Sequence, residues 1–348
     1  MKKATAEIQI VTPCILAGTD QETAELRAAS IRGQLRWWFR LLNPEQRDRE
    51  KAIFGGVHGG AQTSSLVVRI LTKADEVKTV DRQKAEDIVG SNYDYFLWPL
   101  GRKNSTPRGF IAPGEVFELL LTHRHVGGGE PLPSDVLEAF LLFGALGTRS
   151  RRGYGSIFPR RLTVDAEERR VPDSVDTVTR EAERLLKHAD CTVLQVDAPK
   201  ERASKAVDTC AQFLRAFRCG SEKSGKPSVW GKNDHDAPFS QEYNVFRQVV
   251  GLPLEQRYSR PNRGTFRSEV PGADRWASPL LFKIVPVNGG YLPLAIFCNS
   301  MVLPEEQKIE LKDRDRAVTK RLSHDMWRAM QDPEKHAQVG WNMAKRLV

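Results

Sequence analysis

Arginines, glycines and a tyrosine are concentrated in the segment from Gly147 to Ser156, which reads Gly-Thr-Arg-Ser-Arg-Arg-Gly-Tyr-Gly-Ser and has no acidic residue. Glycine lets the backbone approach a phosphate, and a guanidinium offers a planar, permanently charged fork for phosphate oxygens. A tyrosine ring can stack on a base. The segment therefore predicts contact with a phosphate polymer, and a solvated turn is the alternative. The candidate residues are Gly147, Arg149, Ser150, Arg151, Arg152, Gly153, Tyr154 and Gly155.

A second segment, from residue 257 to residue 267, also mixes arginines with aromatic side chains. Two separate segments of this kind favour a path for a polyanion that joins them. The candidates here are Arg257, Tyr258, Arg260, Arg263 and Arg267, with Phe266 as a further aromatic side chain.

A predicted helix from Glu22 to Leu42 carries a third basic set, Arg32, Arg36 and Arg40. Residues four apart lie on one helix face, so these arginines form a stripe beside an apolar face. Few acidic residues of the helix itself could pair with them. Ligand contact and a solvated helix face are both open for each arginine.

Histidines could supply the acid and base of a metal-independent ribonuclease. The candidates are His58, His123, His125 and His235, and each also has an ordinary reading as a loop residue or strand end. Neither Asp234-His235-Asp236 nor the five widely spaced cysteines show convincing metal-ligand spacing. We therefore predict no catalytic residue, no metal and no cofactor.

The chain has 348 residues, with 53 Lys and Arg against 44 Asp and Glu and a net charge of +9. This excess is moderate, so the location of the charges matters more than their total. No apolar run approaches the length that spans a membrane, and the first residues do not resemble a secretion signal. We expect a cytoplasmic protein.

The order of predicted elements in the first half is strand, helix, strand, strand, helix, strand, which is the ferredoxin-like topology of RNA-recognition motifs. Alternation and helical periodicity give their bounds. They are Glu7–Val11, Glu22–Leu42, Ser65–Leu71, Glu115–His123, Ser134–Leu146, where Ser134 or Asp135 would cap the helix, and Ser156–Val164.

The second half begins after a predicted linker at 165–175. We expect an α+β protein of two ferredoxin-like domains, residues 1–165 and 176–348, with loop and helical insertions such as the basic segment 101–109. The second domain would be a degenerate copy of the first. Its predicted parts are helices Val175–Lys187 and Glu201–Arg218, strand Thr192–Val196, a mobile segment Cys219–Phe239, a hairpin of Leu280–Val287 and Tyr291–Phe297, and mostly helical sequence from Glu305.

Three motifs in this order resemble the RAMP superfamily of CRISPR-associated RNA-binding proteins. They are Leu26-Arg27 with Ser30-Ile-Arg-Gly-Gln-Leu-Arg-Trp-Trp38 after Thr12-Pro13, the segment Gly147–Ser156, and Arg275-Trp-Ala-Ser-Pro-Leu280. The last is similar to an element of the branch that supplies subunit one of the Cmr (type III-B) effector complex. The resemblance adds Arg27, Ser30 and Arg275 to the predicted RNA contacts.

The resemblance implies a non-catalytic subunit that binds guide RNA (crRNA), holds its 3′ part and caps a multi-subunit filament. Its implied partners are crRNA, target RNA and the other subunits of a type III CRISPR effector complex, with no membrane and no small-molecule cofactor. A metal-independent endoribonuclease that processes CRISPR repeat RNA is the alternative.

Overall fold

The computed structural model describes residues 1–18, 23–57, 60–73, 77, 79–80, 93–97, 109–220, 228–240, 244–257, 265–273, 275–314 and 316–348. Candidates His58, Tyr258, Arg260 and Arg263 and nearly all of the basic segment 101–109 lie outside these residues. The described chain mixes helices with antiparallel sheets, which confirms the α+β class. No described helix is both long and apolar enough to cross a membrane.

The strands are β1 (Lys3–Ile10), β2 (Leu66–Ile70), β3 (Thr79–Val80), β4 (Phe110–Ile111), β5 (Val116–His123), β6 (Ile157–Val164), β7 (Glu167–Arg169), β8 (Cys191–Gln195), β9 (Leu254–Arg257), β10 (Thr265–Glu269), β11 (Leu280–Val287), β12 (Gly290–Cys298), β13 (Lys308–Lys312), β14 (Ala317–Arg321) and β15 (Lys345–Arg346). The α-helices are α1 (Ala28–Leu42), α2 (Arg47–Phe54), α3 (Tyr93–Leu97), α4 (Ser134–Phe143), α5 (Val175–Leu186), α6 (Ala203–Arg218), α7 (Val229–Asp236) and α8 (Asp325–Gln331).

The first sheet has the strand order β2-β5-β1-β6-β7, with antiparallel neighbours throughout. Along β1 every second residue is buried, so one face of the strand meets the core. Helices α1 and α4 connect the strands in the predicted order and pack against each other. The buried side chains of α1 are Ile31, Leu35, Trp38, Phe39 and Leu41.

The second large sheet has the order β11-β12-β8-β15, again antiparallel. Counted along the chain, its strands stand in the order second, third, first, fourth, as do β2-β5-β1-β6 of the first sheet. Helix α6 packs on this second sheet. A further sheet, β14-β13-β10-β9, is built from segments inserted between these strands.

One continuous apolar core joins the two halves. The backbone of Arg152 forms a parallel bridge with Phe282 on β11. The glycine-arginine loop, defined as residues 147–156, therefore lies where the halves meet.

Three predicted elements are wrong in extent. Helix α1 begins at Ala28 rather than at Glu22, because Ala24 pairs with Ala17 in a β-bridge and Glu25 donates its N–H to the carbonyl of Leu16. Helix α4 ends at Phe143 rather than Leu146, and Pro133 is its N-cap residue, without a side-chain cap from Ser134 or Asp135. The predicted linker 165–175 includes strand β7.

Two predictions for the second half are wrong in kind. The described part of the segment Cys219–Phe239 holds helix α7, which Ser228 caps through the N–H of Gly231 and which buries Trp230 and Asp234. The part of the chain after Glu305 is not mostly helical, since it contains β13, β14 and β15, and helix α8 has only 7 residues.

Candidate nucleic-acid interface

Two of the three glycines of the glycine-arginine loop are required by close contacts within the chain. Gly147 and Gly155 have φ of 81° and 64°, and residues other than glycine rarely adopt this region of backbone conformation. A Cβ on Gly155 would lie 1.9 Å from the carbonyl oxygen of Leu146, and one on Gly147 would lie 2.4 Å from that of Ile15. These two glycines are needed because the loop backbone packs closely on Leu146 and Ile15. The prediction instead explained them by the close approach of a phosphate.

Tyr154 is 1% exposed, so its ring cannot stack on a base. The predicted stacking role of this residue is wrong. Burial of an aromatic ring removes a large apolar surface from water, which stabilises the fold. The ring is therefore more stable in the core than on the surface of a loop. Tyr154 anchors the loop to the core and offers no exposed ring to a ligand.

Arg152 connects the two halves. Its guanidinium donates to the carbonyl of Leu280 (3.3 Å), to Oγ of Ser278 (3.2 Å) and to the carbonyl of Val250 (3.4 Å). Burial, and then the charge of Arg218, lower the pKa of Arg152 to about 9. This arginine is held by protein carbonyls, which neutralise none of its charge.

Arg149, Arg151 and Arg275 form a group of cations beside Arg152. The guanidinium of Arg151 lies 5.3 Å from the ring of Trp37 on α1 and donates to the carbonyl of Ser278. Burial lowers the pKa of both Arg149 and Arg151, and the charge of Arg275 lowers each further. Within the described ranges no carboxylate forms an ion pair with any of the three. Such an arrangement favours an anion from outside the chain.

The arginine stripe of α1, defined as Arg32, Arg36 and Arg40, has an acidic partner that the sequence reading missed. Glu50 on α2 accepts from Nε of Arg36, and its two oxygens accept from Nη2 (2.7 Å) and Nε (2.9 Å) of Arg40. Burial raises the pKa of Glu50, but the hydrogen bonds from Arg40 and Arg36 outweigh this and lower it overall. Helix α1 itself has no acidic residue, as expected, and the partner of these two arginines comes from α2 instead.

Arg32 differs from the other two members of the stripe. It donates to the carbonyls of Phe54 and Leu66, and no described carboxylate pairs with it. Burial, and then the neighbouring charge of Arg36, lower its pKa. With one carboxylate for three arginines, the stripe keeps a net positive charge.

A cleft of about 460 Å³ lies at the N-terminus of α1 and is lined by Arg27, Lys73 and Glu25, among others. Arg27 is the N-cap residue, and the first turn, which includes Ser30, has no acidic side chain. Free N–H groups and the helix dipole make such an end attractive to anions.

The second predicted segment is only partly described. Arg267 on β10 pairs through Nε with Oε1 of Glu269 at 2.6 Å. Phe266 is 1% exposed, and its ring contacts Phe239 at 5.6 Å between centroids. Phe266 is therefore not available for stacking, and Arg257 is the last residue of β9.

The described candidate histidines lie in two parts of the chain. His123 is the last residue of β5 and His125 comes two residues later, with ring centroids 4.7 Å apart, whereas His235 lies on α7. Burial lowers the pKa of His123 and of His235. Among described residues no group of three or more His, Cys, Asp or Glu is placed to hold a metal ion.

The sequence profile of the RAMP superfamily matches residues 7–157, which span β1 to the start of β6 and include the glycine-arginine loop. The chain is therefore similar to the RAMP superfamily over these residues. The predicted resemblance is thereby confirmed.

Two curated relatives are CRISPR system Cmr subunits of Pyrococcus furiosus. Cmr1-1 is 25% identical over 322 residues, which cover 88% of this chain and 90% of that protein. Cmr1-2 is 27% identical over 183 residues, which cover 45% of this chain and 95% of that protein.

Two solved structures have the same fold. The crystal structure of apo Cmr1 from Pyrococcus furiosus matches with a TM-score of 0.59 at 18% identity, covering 100% of this chain and 99% of that one. A chain in the cryo-EM structure of type III-B Cmr-beta bound to cognate target RNA matches with a TM-score of 0.55 at 11% identity, covering 97% and 99%.

Sequence reasoning missed Lys283 as well as Glu50. Lys283 is fully buried, donates from Nζ to the carbonyls of Gly144 and Ile157 in the RAMP segment, and has its pKa lowered well below the usual value by burial. The position of a lysine inside the apolar run Leu280–Val287 could have indicated from the sequence that this charge is buried. For Glu50 the sequence held no such signal, because its partners lie on another helix.

Proposed function

We propose that the chain is a non-catalytic, guide-RNA-binding subunit of a type III-B CRISPR effector complex. The observation that carries this proposal is the group Arg149, Arg151 and Arg275, three cations without a described acidic partner at the junction of the two halves. Similarity to Cmr subunit Cmr1-1 along 88% of the chain supports the assignment to such a complex.

We also propose that the chain consists of two ferredoxin-like domains, residues 1–165 and 176–348. The order second, third, first, fourth in β2-β5-β1-β6 and in β11-β12-β8-β15 supports this. The duplicated sheets would hold RNA at the junction between them. The helices and loops there carry the cations, whereas Tyr154 and Phe266 are buried.

The proposed RNA contacts are phosphate contacts, which position a strand without reading its bases. Arg149, Arg151 and Arg275 form the centre of this surface. Arg151 lies on Trp37 of α1, so the arginine stripe continues the surface towards Arg27 and the cleft beside it. In the cytoplasmic assembly, the subunit would hold the 3′ part of crRNA, cap the filament and contact target RNA and neighbouring subunits.

Salt dependence tests the proposal. Each phosphate contact with a single strand contributes a slope of about 0.7 in log affinity against log salt. We expect the double variant Arg149→Ala/Arg275→Ala to bind single-stranded RNA more weakly, with a slope reduced by about 1.4, the sum of two such contacts.

The matched control is Arg321→Ala/Arg328→Ala. Both of these arginines pair with carboxylates, Arg321 with Glu306 and Arg328 with Glu305. The control removes the same charge, so it should leave the slope nearly unchanged. Equal slopes for the two double variants would show that the glycine-arginine loop does not contact the RNA.

A further inference from the structure

Three buried polar atoms without a hydrogen-bond partner lie beside the junction of the two halves. They are Oη of Tyr95, Nε of Arg218 and Nη2 of Arg247. Tyr95 belongs to α3, Arg218 ends α6, and Arg247 begins a 3₁₀ turn at Arg247–Val250. Buried polar groups nearly always have a partner, so three orphaned donors in one region point to a group that the chain itself does not supply.

Hydrogen bonds and charges bring these residues together with Arg152. Nη1 of Arg247 donates to the carbonyl of Arg218 at 3.5 Å, and Nη2 of Arg152 donates to the carbonyl of Val250 at 3.4 Å. Burial raises the pKa of the Tyr95 hydroxyl, and the charges of Arg218, Arg152 and Arg247 act on it in the opposite direction. We call Tyr95, Arg152, Arg218 and Arg247 the Tyr95 cluster.

The charges of the Tyr95 cluster do not balance among the residues that the structure describes. Asp234 accepts from Nε of Arg247 at 2.7 Å and from the N–H groups of Phe246 and Arg247. Neither Arg152 nor Arg218 forms an ion pair with a described carboxylate. Three guanidinium groups therefore face one carboxylate in a region of low dielectric, where unbalanced charge is costly.

The cluster is close to the surface. Arg247 is 6% exposed, whereas Tyr95 and Arg218 are partly exposed as residues although the orphaned atoms are buried. A phosphodiester within a strand carries a nucleoside on both sides, so burial favours a phosphate at a chain end or a free one.

We propose that the Tyr95 cluster binds a phosphate group, either inorganic phosphate or the terminal phosphate of an RNA. Guanidinium N–H groups and a phenolic hydroxyl are donors, and a phosphate supplies acceptor oxygens and the missing negative charge. Where the phosphate belongs to RNA, the inference rests on the proposed function. Inorganic phosphate binding does not.

The first experiment uses inorganic phosphate as the probe and the thermal unfolding midpoint (Tm) as the readout. Phosphate should raise the Tm of the unmodified chain more than sodium chloride of equal ionic strength does. Tyr95→Phe and Arg218→Met should lose this rise. Because the orphaned atoms bond nothing, both variants should fold and, in chloride, have a Tm at least as high as that of the unmodified chain. Arg321→Met, an exposed arginine paired with Glu306, is the control that keeps the rise.

The second experiment compares RNAs of one sequence with a 5′-phosphate, a 3′-phosphate or hydroxyl groups at both ends. If RNA supplies the phosphate, one phosphorylated form should bind about tenfold tighter than the hydroxyl form, the gain expected of charge-assisted hydrogen bonds. That gain should vanish in Arg218→Met, while binding of the hydroxyl form should not change.

The outcomes separate this inference from the proposed function. Failure of the hydroxyl-ended RNA to bind would contradict the proposed function, because that binding depends on Arg149, Arg151 and Arg275. A phosphate-specific rise in Tm without an end-phosphate gain would assign the site to free phosphate. Absence of both effects, or their persistence in Tyr95→Phe and Arg218→Met, would overturn the inference.

Discussion

The glycine-arginine loop and the arginine stripe of α1 are alike in sequence and different in structure. Both place three arginines within ten residues. In the loop, protein carbonyls and the Trp37 ring hold Arg151 and Arg152, and no described carboxylate joins them. In the stripe, one carboxylate, Glu50, holds both Arg36 and Arg40. The density of arginines therefore does not reveal how much charge is left for a ligand.

The difference has an electrostatic consequence. A carbonyl oxygen satisfies an N–H donor but leaves the positive charge in place, whereas a carboxylate removes it. The three arginines of the loop therefore keep a net charge of three, and the three arginines of the stripe keep a net charge of two. Because Arg151 lies on Trp37 of α1, the two regions are adjacent, and the stronger field is at the loop. An RNA strand that follows both should depend more on the loop.

The largest expected effect concerns the shape of the loop. Gly155→Ala should destabilise the fold by about 3 kcal/mol or more, because its Cβ would overlap the backbone of Leu146. Gly153 is the matched control. It has φ of 81°, but a Cβ there would meet its nearest atom at 3.7 Å, so Gly153→Ala should cost about 1–2 kcal/mol for its left-handed backbone alone. Urea unfolding measures the free energy of unfolding of both variants. Equal losses of stability in Gly155→Ala and Gly153→Ala would contradict the packing role of Gly155.

Local patterns predicted much of the fold. Alternation located β1 and β5, and the turn at Asn288-Gly289 located the hairpin of β11 and β12, whose register pairs Val287 with Gly290. These features depend on neighbouring residues, so one sequence is enough to read them. The charge-rich region after Glu305 does not form mostly helices, because strands with one buried face, such as β13, also carry charged residues at alternate positions.

The candidate site was harder to predict because its character depends on distant contacts. The loop segment has no acidic residue of its own, and no described carboxylate from elsewhere pairs with its arginines. The burial of Tyr154 and Phe266, and the pairing of the stripe with Glu50, come from packing between elements far apart in the chain. Composition shows which side chains could bind RNA. Only the tertiary structure shows which of them are already buried or paired with other residues of the chain.

The stripe can be made to resemble the loop by Glu50→Gln. The arginine partners of Glu50 are half-exposed, so we expect a loss of only about 1 kcal/mol at neutral pH. Since the pKa of Glu50 is lowered in the fold, its stabilisation is present above the usual carboxyl pKa of about 4.3 and is lost as the pH falls through the lower, folded value. Unfolding measured in this acidic range should show a smaller loss of stability for Glu50→Gln than for the original chain.

The same variant tests whether the stripe faces RNA. Removal of one negative charge should strengthen RNA binding and steepen its salt dependence. Glu7→Gln is the matched control, because Glu7 pairs with Arg160 and Arg161 on β6 and lies outside the proposed surface. Equal affinities for the two variants would confine RNA to the glycine-arginine loop.

The smallest expected effect is that of the histidines. His58→Ala, His123→Ala, His125→Ala and His235→Ala should leave both RNA affinity and the pattern of RNA products unchanged. A metal-independent ribonuclease needs an acid and a base on either side of the scissile phosphate, with a cation beside it. The ring centroids of His123 and His125 lie 4.7 Å apart beside the end of β5, whereas His235 belongs to α7, so the three described candidates do not come from one element. Incubation of the chain with labelled repeat RNA and a chelator measures this directly. Reproducible cutting that one of these substitutions abolishes would replace the binding function with the endoribonuclease alternative, and the loop arginines would then stabilise a transition state instead of holding a guide.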